Sequence, residues 1–175
     1  RCLMSLRHLL PAIVVVLAVA PPADAGKVTT HMVAATKAVK QVDDPDLRAV
    51  LESNVAAVRG GAVGPDVFYF PPSFAQTLGA GVGAYKDRTA FSDMAHYCKT
   101  DQLAKNMIDL AGGDPALKAF GYGWFAHNVE DSVAHPWVNG FTGGPFDSPI
   151  RTNGKTHGHI EGWVNSIMVA ELSDQ

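Results

Sequence analysis

The segment GYGWFAHNVEDSVAHPW, residues 121–137, decides how this chain folds. It is mostly apolar, yet it places His127, Asp131 and His135 at successive steps of four residues. Residues four apart lie one turn above each other on the same side of a helix. The spacing therefore predicts an α-helix that carries two imidazoles and one carboxylate in a single stripe.

A polar stripe on an apolar helix needs partners, because burying polar groups without them costs free energy. Zinc is one such partner, since it binds imidazole nitrogen and carboxylate oxygen together. The alternative is that hydrogen bonds within the core satisfy both histidines, which is the common fate of a single buried histidine. That alternative weakens as further ligand types accumulate along the chain.

Five more histidines and acids fall on or beside predicted helices or in a predicted loop. They are His31, Asp66, His96, His157 and Glu161. Together with the stripe they make eight ligands, which is too many for one zinc, because a zinc takes three or four protein ligands. The set predicts a cluster of two or three ions with one carboxylate bridging. Paired metals of this kind are the usual apparatus for displacement at a phosphoester.

His159 is the ambiguous histidine of the last segment, HGHIEGWVNS. It is two residues from Glu161 and so points to a different helix face, whereas His157 is four residues from Glu161 and shares its face. We therefore predict that His157 is the ligand and that His159 lies at the surface or supports a ligand.

The composition is that of an ordinary globular chain. The chain has 175 residues, of which 47% are hydrophobic and 18% charged, with a formal net charge of −3. This length fits one domain with a real core. The acidic balance excludes the basic footprint of a duplex nucleic-acid binder.

The N-terminal residues 1–25 predict a signal peptide. Arg7 and His8 precede an apolar run over residues 9–20, which is short for a membrane span, and Ala23 and Ala25 form an A-x-A cleavage site. Cleavage would export a mature chain that begins at Gly26, to the periplasm or the extracellular space. The alternative is an uncleaved anchor.

The two ends of the sequence do not establish whether the chain is a fragment. The chain starts without Met and ends at Gln175 without an obvious terminal signal, so we allow for a fragment truncated at the C-terminus. Cys98 would be the one cysteine of the mature chain, which excludes an intramolecular disulfide there.

Strand patterns are nearly absent, so the predicted fold class is all-α. The predicted helices cover residues 31–42, 44–60, 90–112, 114–135 and 157–174. The first would be capped by Thr29 or Thr30, and Gly60-Gly61 would stop the second. Long loops over residues 62–88 and 136–156 are predicted from their glycine and proline content, and long loops in compact domains are usually functional.

The ordered ligands resemble those of the zinc-dependent phospholipase C family, which is itself similar to single-strand-specific nucleases of the S1/P1 type. The order is an early His, a loop Asp in GAVGPDVFYF, a His in FSDMAHY, then H-x-x-x-D-x-x-x-H, and H-x-x-x-E in the last helix. The H-x-x-x-D-x-x-x-H form is most similar to the catalytic domain of glycosylphosphatidylinositol-specific phospholipase D. The resemblance covers residues 26 to about 170 and implies a domain over 26–175.

The resemblance implies a compact multi-helix bundle around three zinc ions. The first zinc would be held by Asp66, His96, His127 and Asp131. The second would be held by His135, His157 and Glu161. The third would be held by His31, by Asp131 as a bridging ligand, and by the amine and carbonyl of the mature N-terminus at Gly26. The family's nucleases and bacterial phospholipases C begin with Trp, so Gly26 departs from the pattern but supplies the same backbone atoms.

The resemblance also implies hydrolysis of a phospholipid head-group phosphodiester by a metal-activated water. The substrate would be met at a membrane surface, and Asp66 would be a ligand, a general base, or both. Two alternatives remain: a secreted single-strand nuclease, and an exported zinc-stabilised module without catalysis. Glu161 counts against the nuclease, because those nucleases usually have Asp there. The head group, phospholipase C versus D regiochemistry, oligomeric state and physiological role stay open.

Aromatic residues accompany the ligands. Phe68, Tyr69, Phe70, Phe74 and Tyr85 flank the loop aspartate, as core packing or as a lip that receives lipid or stacks a base. Trp124, Phe125 and Trp163 are predicted to lie in the core.

Overall fold

A computed structural model describes residues 26–69, 89–143 and 153–173. The helices are α1 Gly26–Val39, α2 Pro45–Ser53, α3 Val55–Val63, α4 Thr89–Tyr97, α5 Thr100–Leu110, α6 Pro115–Thr142 and α7 Asn153–Ser173, with a 3₁₀ helix at Gly64–Tyr69. These ranges contain no β-strand, which confirms the predicted all-α class. The predicted signal peptide and residues 70–88 and 144–152 lie outside the described residues, so the boundary at residue 25 stays a prediction.

The long helix α6 is the centre of the bundle. Its N-terminus is fixed by Asp114, whose carboxylate accepts hydrogen bonds from the backbone N–H groups of Ala116 and Leu117 at 3.0 and 3.1 Å, with Pro115 at the first helical position. It packs chiefly on α3 and α5, and more lightly on α1 and α7. Because α2 also contacts it, five helices pack against α6, and side chains along its length can meet groups from several of them.

Helix α3 approaches α6 closely through two glycines. A Cβ atom added at Gly61 would overlap the carbonyl oxygen of Phe120, and one added at Gly123 would overlap that of Val58. Two helix backbones can come this near only where neither side chain intervenes. The buried contact continues into a core of small and aromatic residues that includes Ala62 and Trp124.

The prediction that Gly60-Gly61 ends a helix is wrong. Both glycines lie inside α3, which runs to Val63, and the break comes earlier, at Asn54. Tertiary packing explains the difference, since Gly61 serves the close contact with α6 rather than a turn. The predicted loop over 62–88 consequently begins as helix, and the loop aspartate Asp66 lies in the 3₁₀ helix that follows α3.

Two other helix boundaries also differ from the predictions. The helix expected over 90–112 is divided between α4 and α5, with Lys99 in the left-handed region at φ 51°. Helix α6 continues through Pro136 to Thr142 instead of ending near His135. Proline lacks an N–H and leaves the Ser132 carbonyl without its helical hydrogen bond, a cost that water can offset because Ser132 is exposed.

The ends of the first and last helices differ by several residues from their predicted positions. Helix α1 starts at Gly26, so Thr29 and Thr30 lie inside it rather than capping it. Helix α7 starts at Asn153 and is tied to α1, because the Asn165 Oδ1 atom accepts from the Thr30 backbone N–H at 3.1 Å and from its hydroxyl at 3.3 Å. This contact fixes α7 against α1, and both helices also pack on α6.

The aromatic predictions are partly right. Trp124 is 4% exposed and belongs to the core, whereas Phe125 is 44% and Trp163 67% exposed, so their predicted burial is wrong. Helical spacing alone did not distinguish the packed side of α6 and α7 from the free side. None of the described helices combines the length and apolar character that crossing a bilayer requires.

We expect Gly123→Ala to lower the free energy of unfolding by about 2–3 kcal/mol, because the added methyl overlaps backbone atoms of α3 that cannot move independently. Gly140→Ala in the same helix is the matched control, since nothing lies within 4 Å of its added Cβ. That variant should be neutral or stabilised by about 0.5–1 kcal/mol through helix propensity. Urea unfolding at fixed zinc concentration measures both, and equal midpoints would contradict the close contact.

Candidate metal centre

The stripe predicted from the sequence lies along α6 and faces the interior. His127 is 1% exposed, and its Nδ1 atom lies 2.7 Å from the backbone carbonyl of Ala62 in α3. A carbonyl can only accept, so this contact places the ring proton on Nδ1 and leaves Nε2 free to face the site. The Nε2 atom of His127 lies 3.3 Å from Oδ2 of Asp131, one turn further along the helix.

His96 is oriented in the same way from α4. Its Nδ1 atom lies 2.6 Å from the backbone carbonyl of Ser92, which directs Nε2 toward Oδ1 of Asp66 at 3.2 Å. The ring is only 9% exposed as a side chain. A backbone carbonyl behind each ring thus selects the nitrogen that faces the centre.

The Nε2 atoms of His96 and His127 lie 3.1 Å from each other. Since both rings direct their Nδ1 protons to carbonyls, the two neutral rings would face each other with lone pairs unless a cation or a proton lay between them. Two nitrogens bound to one tetrahedral zinc at about 2.0–2.1 Å are about 3.3–3.4 Å apart. The donor set therefore fits a metal ion.

Asp66 enters the site from the 3₁₀ helix. Its Oδ2 atom lies 3.3 Å from Nε2 of His31, and its Oδ1 atom lies 3.2 Å from Nε2 of His96. The carboxylate thereby joins α1 to α4 across the end of α3.

Asp131 contacts more imidazoles than any other described carboxylate of the site. Its Oδ1 atom faces His31 at 3.9 Å and His135 at 3.5 Å, while its Oδ2 atom faces His96 at 3.5 Å and His127 at 3.3 Å. Each oxygen thus meets a different pair of rings, which is the arrangement of a carboxylate able to bridge two ions.

The second part of the site joins α6 to α7. Oε1 of Glu161 lies 2.7 Å from Nε2 of His157 and 3.8 Å from Nε2 of His135. His157 is 2% exposed, and His135 is the most open of the site histidines at 37% of its side chain. This end of the site is the more accessible of the two.

Three groups of residues offer ligand atoms that lie within 4.8 Å of one another. They are His31 with His127 and Asp131, Asp66 with His96 and His127, and His135 with His157 and Glu161. All eight side chains chosen from the sequence meet in these groups. The group of His135, His157 and Glu161 is the one implied by resemblance. In the other two, His127 belongs to both groups, Asp131 lies with His31 and not with Asp66, and Gly26 is not included.

Two residues considered in the sequence analysis, Gly26 and His159, lie outside the three ligand groups. Gly26 is the first residue of α1, five positions before His31, and its role as a metal ligand through the mature N-terminus stays a prediction. His159 is exposed on α7, in agreement with its prediction as a surface residue.

Glu130 is a residue of the site that the sequence analysis missed. Its Oε2 atom lies 2.6 Å from Nδ1 of His31, on the side of the ring away from Asp66 and Asp131. It is next to Asp131 in sequence and off the stripe of α6, so stripe periodicity did not select it. Only the packing of α1 on α6 brings it to the imidazole.

The buried acids and imidazoles shift each other's protonation. Burial alone would lower the pKa of His31, but its contacts with Asp66 and Glu130 outweigh burial and raise that pKa to about 10. Burial likewise opposes ionisation of Asp66, yet hydrogen bonds from His31 and His96 hold the pKa of that carboxyl well below its usual range. These shifts favour a protonated His31 beside an ionised Asp66.

The same balance applies at the centre of α6. Despite burial, contact with His127 and the charges of His31 and His135 lower the pKa of Asp131. Despite burial, Asp66 and the Ser92 carbonyl raise the pKa of His96. Metal binding to these histidines must release their extra protons, because imidazole binds metal only in its neutral form.

Comparison with known proteins identifies a family of metal-dependent enzymes. The family model described as zinc-dependent phospholipase C matches residues 30–175. The chain belongs to the zinc-dependent phospholipase C family. No curated protein and no solved structure gives a significant match. The matched residues include all eight side chains of the site, and membership confirms the family resemblance seen in their order.

Membership defines the chemistry at the level of the family. A zinc-dependent phospholipase C is a hydrolase, and zinc binds through imidazole nitrogen and carboxylate oxygen, the two ligand types that meet along α6. The ligand groups and the family therefore agree on a metal-dependent hydrolase.

We expect zinc binding to the metal-free protein at pH 7 to release at least one proton per chain, because His31, with a pKa of about 10, is then protonated. The apparent affinity should rise by up to about tenfold per pH unit for each proton released, since one pKa unit corresponds to that factor. Calorimetric titration in two buffers of different ionisation enthalpy measures the number.

His31→Ala should reduce the number of released protons by about one, whereas the exposed His159→Ala should leave it unchanged. Zinc uptake without proton release between pH 6 and 8 would show that His31 is neutral before the metal binds.

Proposed function

We propose that the protein is a secreted zinc-dependent phosphodiesterase that hydrolyses phospholipid head-group phosphodiesters with a metal-activated water. The observation that carries this proposal is the contact of Asp131 with four imidazoles, two at each carboxylate oxygen. A carboxylate shared in this way favours neighbouring ions, and neighbouring ions suit displacement at phosphorus. Family membership supports the hydrolase class.

We propose three zinc ions, one for each ligand group. Asp66, His96 and His127 would hold the first together with Asp131, while His135, His157 and Glu161 would hold the second. His31 and Asp131 would hold the third, with the backbone amine and carbonyl of Gly26 after cleavage of the signal peptide. Bound zinc supplies Lewis acidity toward phosphate oxygens and a hydroxide near neutral pH.

The protein side chains then have separate tasks. The Nδ1 atoms of His96 and His127 are each held by a backbone carbonyl. Their Nε2 atoms are therefore oriented before substrate binds, which avoids reorganisation during the reaction. Asp66 stays ionised and lies between two rings, so its oxygens can orient or deprotonate the attacking water. Neither task requires a nucleophilic side chain.

Family membership and the surroundings of His96 support a phospholipid as the proposed substrate. Tyr69 is 39% exposed with its ring centroid 5.3 Å from that of His96, so this ring adds exposed aromatic surface beside the ligands. Such a surface suits contact with a lipid at a membrane. Phe70, Phe74 and Tyr85 of the predicted lip lie outside the described residues, and the Phe68 side chain is likewise outside them.

The test of function uses mature protein that begins at Gly26 and is loaded with zinc. Phosphatidylcholine vesicles, glycosylphosphatidylinositol-anchored substrate and single-stranded DNA are compared at equal protein concentration, and products are identified as phosphorylated or free head groups. Release of a head group from lipid supports the proposal, and the product distinguishes C from D regiochemistry. Turnover of DNA alone favours the nuclease, and full zinc content without any turnover favours a non-catalytic module.

We expect Asp131→Asn to reduce phosphodiesterase kcat/KM by at least about 100-fold, or ~2.7 kcal/mol of transition-state stabilisation, and to lower the zinc content. The amide cannot bridge cations as an anion does. Asp109→Asn is the control, because that acid is exposed in α5, pairs with Lys105 and belongs to none of the ligand groups. Full zinc content and turnover in Asp131→Asn would refute the bridging role.

A further inference from the structure

Glu130 contacts His31 but belongs to none of the proposed zinc ligand groups. Oε2 of Glu130 lies 2.6 Å from Nδ1 of His31, and both side chains are largely buried, at 21% and 11% exposure. The oxygen lies off the line of the ring N–H, so neither atom makes a well-directed hydrogen bond. The contact is therefore chiefly an electrostatic attraction between a buried carboxylate and an imidazole.

Glu130 differs from the groups behind the other oriented rings. His127 and His96 direct Nδ1 to the neutral carbonyls of Ala62 and Ser92. His31 instead has a carboxylate oxygen beside Nδ1, at 2.6 Å. A negative charge at this nitrogen favours the tautomer with the proton on Nδ1 and makes Nε2 a stronger donor.

The position of Glu130 excludes it from the ligand group that His31 joins. The two ring nitrogens point in different directions, and the Nε2 atom of His31 faces Asp66 at 3.3 Å and Asp131 at 3.9 Å. Glu130 contacts the opposite nitrogen. It adds negative charge beside the group of His31, His127 and Asp131 without occupying a coordination position.

We propose that Glu130 is a positioning residue that holds His31 with Nε2 toward the metal centre and strengthens the binding of one cation there. The group that it serves has a single carboxylate, and that carboxylate is shared with other rings. Glu130 brings an additional anion to this group from the Nδ1 side of His31, and that anion offsets more of the charge of a divalent ion. This inference rests on the proposed zinc occupancy and makes no claim about substrate.

The experiment compares Glu130→Ala and Glu130→Gln with wild-type protein and with the control Glu52→Ala, whose side chain is exposed on α2. Metal-free proteins are titrated with zinc against a chromophoric chelator, and bound zinc is counted by elemental analysis. Far-UV circular dichroism verifies that each variant is folded. This readout does not depend on turnover.

We expect Glu130→Ala to weaken one zinc ion by about 10–100-fold while the remaining ions bind as in wild type, the range typical of carboxylates that support a metal-bound histidine. Glu130→Gln should fall between wild type and Glu130→Ala, because the amide oxygen keeps the dipole but not the charge. Glu52→Ala should be unchanged. Wild-type zinc affinity in both Glu130 variants would overturn the proposal.

A double-mutant cycle with His31→Ala separates positioning from direct ligation and from general loss of structure. If Glu130 acts through His31, Glu130→Ala should add little in the His31→Ala background, because the two residues form one unit. A further loss of another ion in the double variant would show that Glu130 binds metal itself and would overturn the proposal. A wild-type protein that loads zinc but hydrolyses nothing would refute the proposed function and leave these metal-binding predictions unaffected.

Discussion

The constraint on which the structure depends is the burial of imidazoles and carboxylates against one helix, α6. Asp131 alone lies within 3.9 Å of four imidazole Nε2 atoms. Groups of this kind are costly to bury unless opposite charge compensates them. The imidazoles that compensate the charge of Asp131 come from three helices, α1, α4 and α6 itself. The helix packing that builds the core therefore also brings the ligands of the site together.

The glycine contact between α3 and α6 has a direct chemical consequence at the site. Gly61 and Gly123 let the two backbones approach, and Ala62, the next residue of α3, then lies with its carbonyl 2.7 Å from Nδ1 of His127. A wider helix spacing would withdraw that carbonyl and free the ring to rotate. The small residues of the interface therefore select the tautomer of a site histidine, which side-chain volume alone would not suggest.

The sequence predicted the helical class, the stripe on α6 and all eight side chains that meet in the ligand groups, because these depend on local periodicity and residue type. It did not predict what depends on neighbours. Gly61 was interpreted as a helix stop although it is a packing contact, and Pro136 as an end although α6 continues past it. Trp163 was placed in the core although it is exposed, and Glu130 was missed because its partner His31 is 99 residues away on α1.

The contacts that hold the metal-free site are the same contacts that a cation must replace. Protonated His31 lies between Asp66 and Glu130, and its proton neutralises part of the charge that a divalent ion would neutralise in full. Imidazolium and carboxylate attract each other, so protonated His31 is stabilised by the same acids that would share a cation. The cost is competition between the proton and the ion, which makes occupancy dependent on pH. Glu130 acts on both sides of this balance. Before the metal binds, its negative charge favours the doubly protonated form of His31. After the metal binds at Nε2, His31 keeps only its Nδ1 proton, and the charge of Glu130 beside that proton still favours the bound ion.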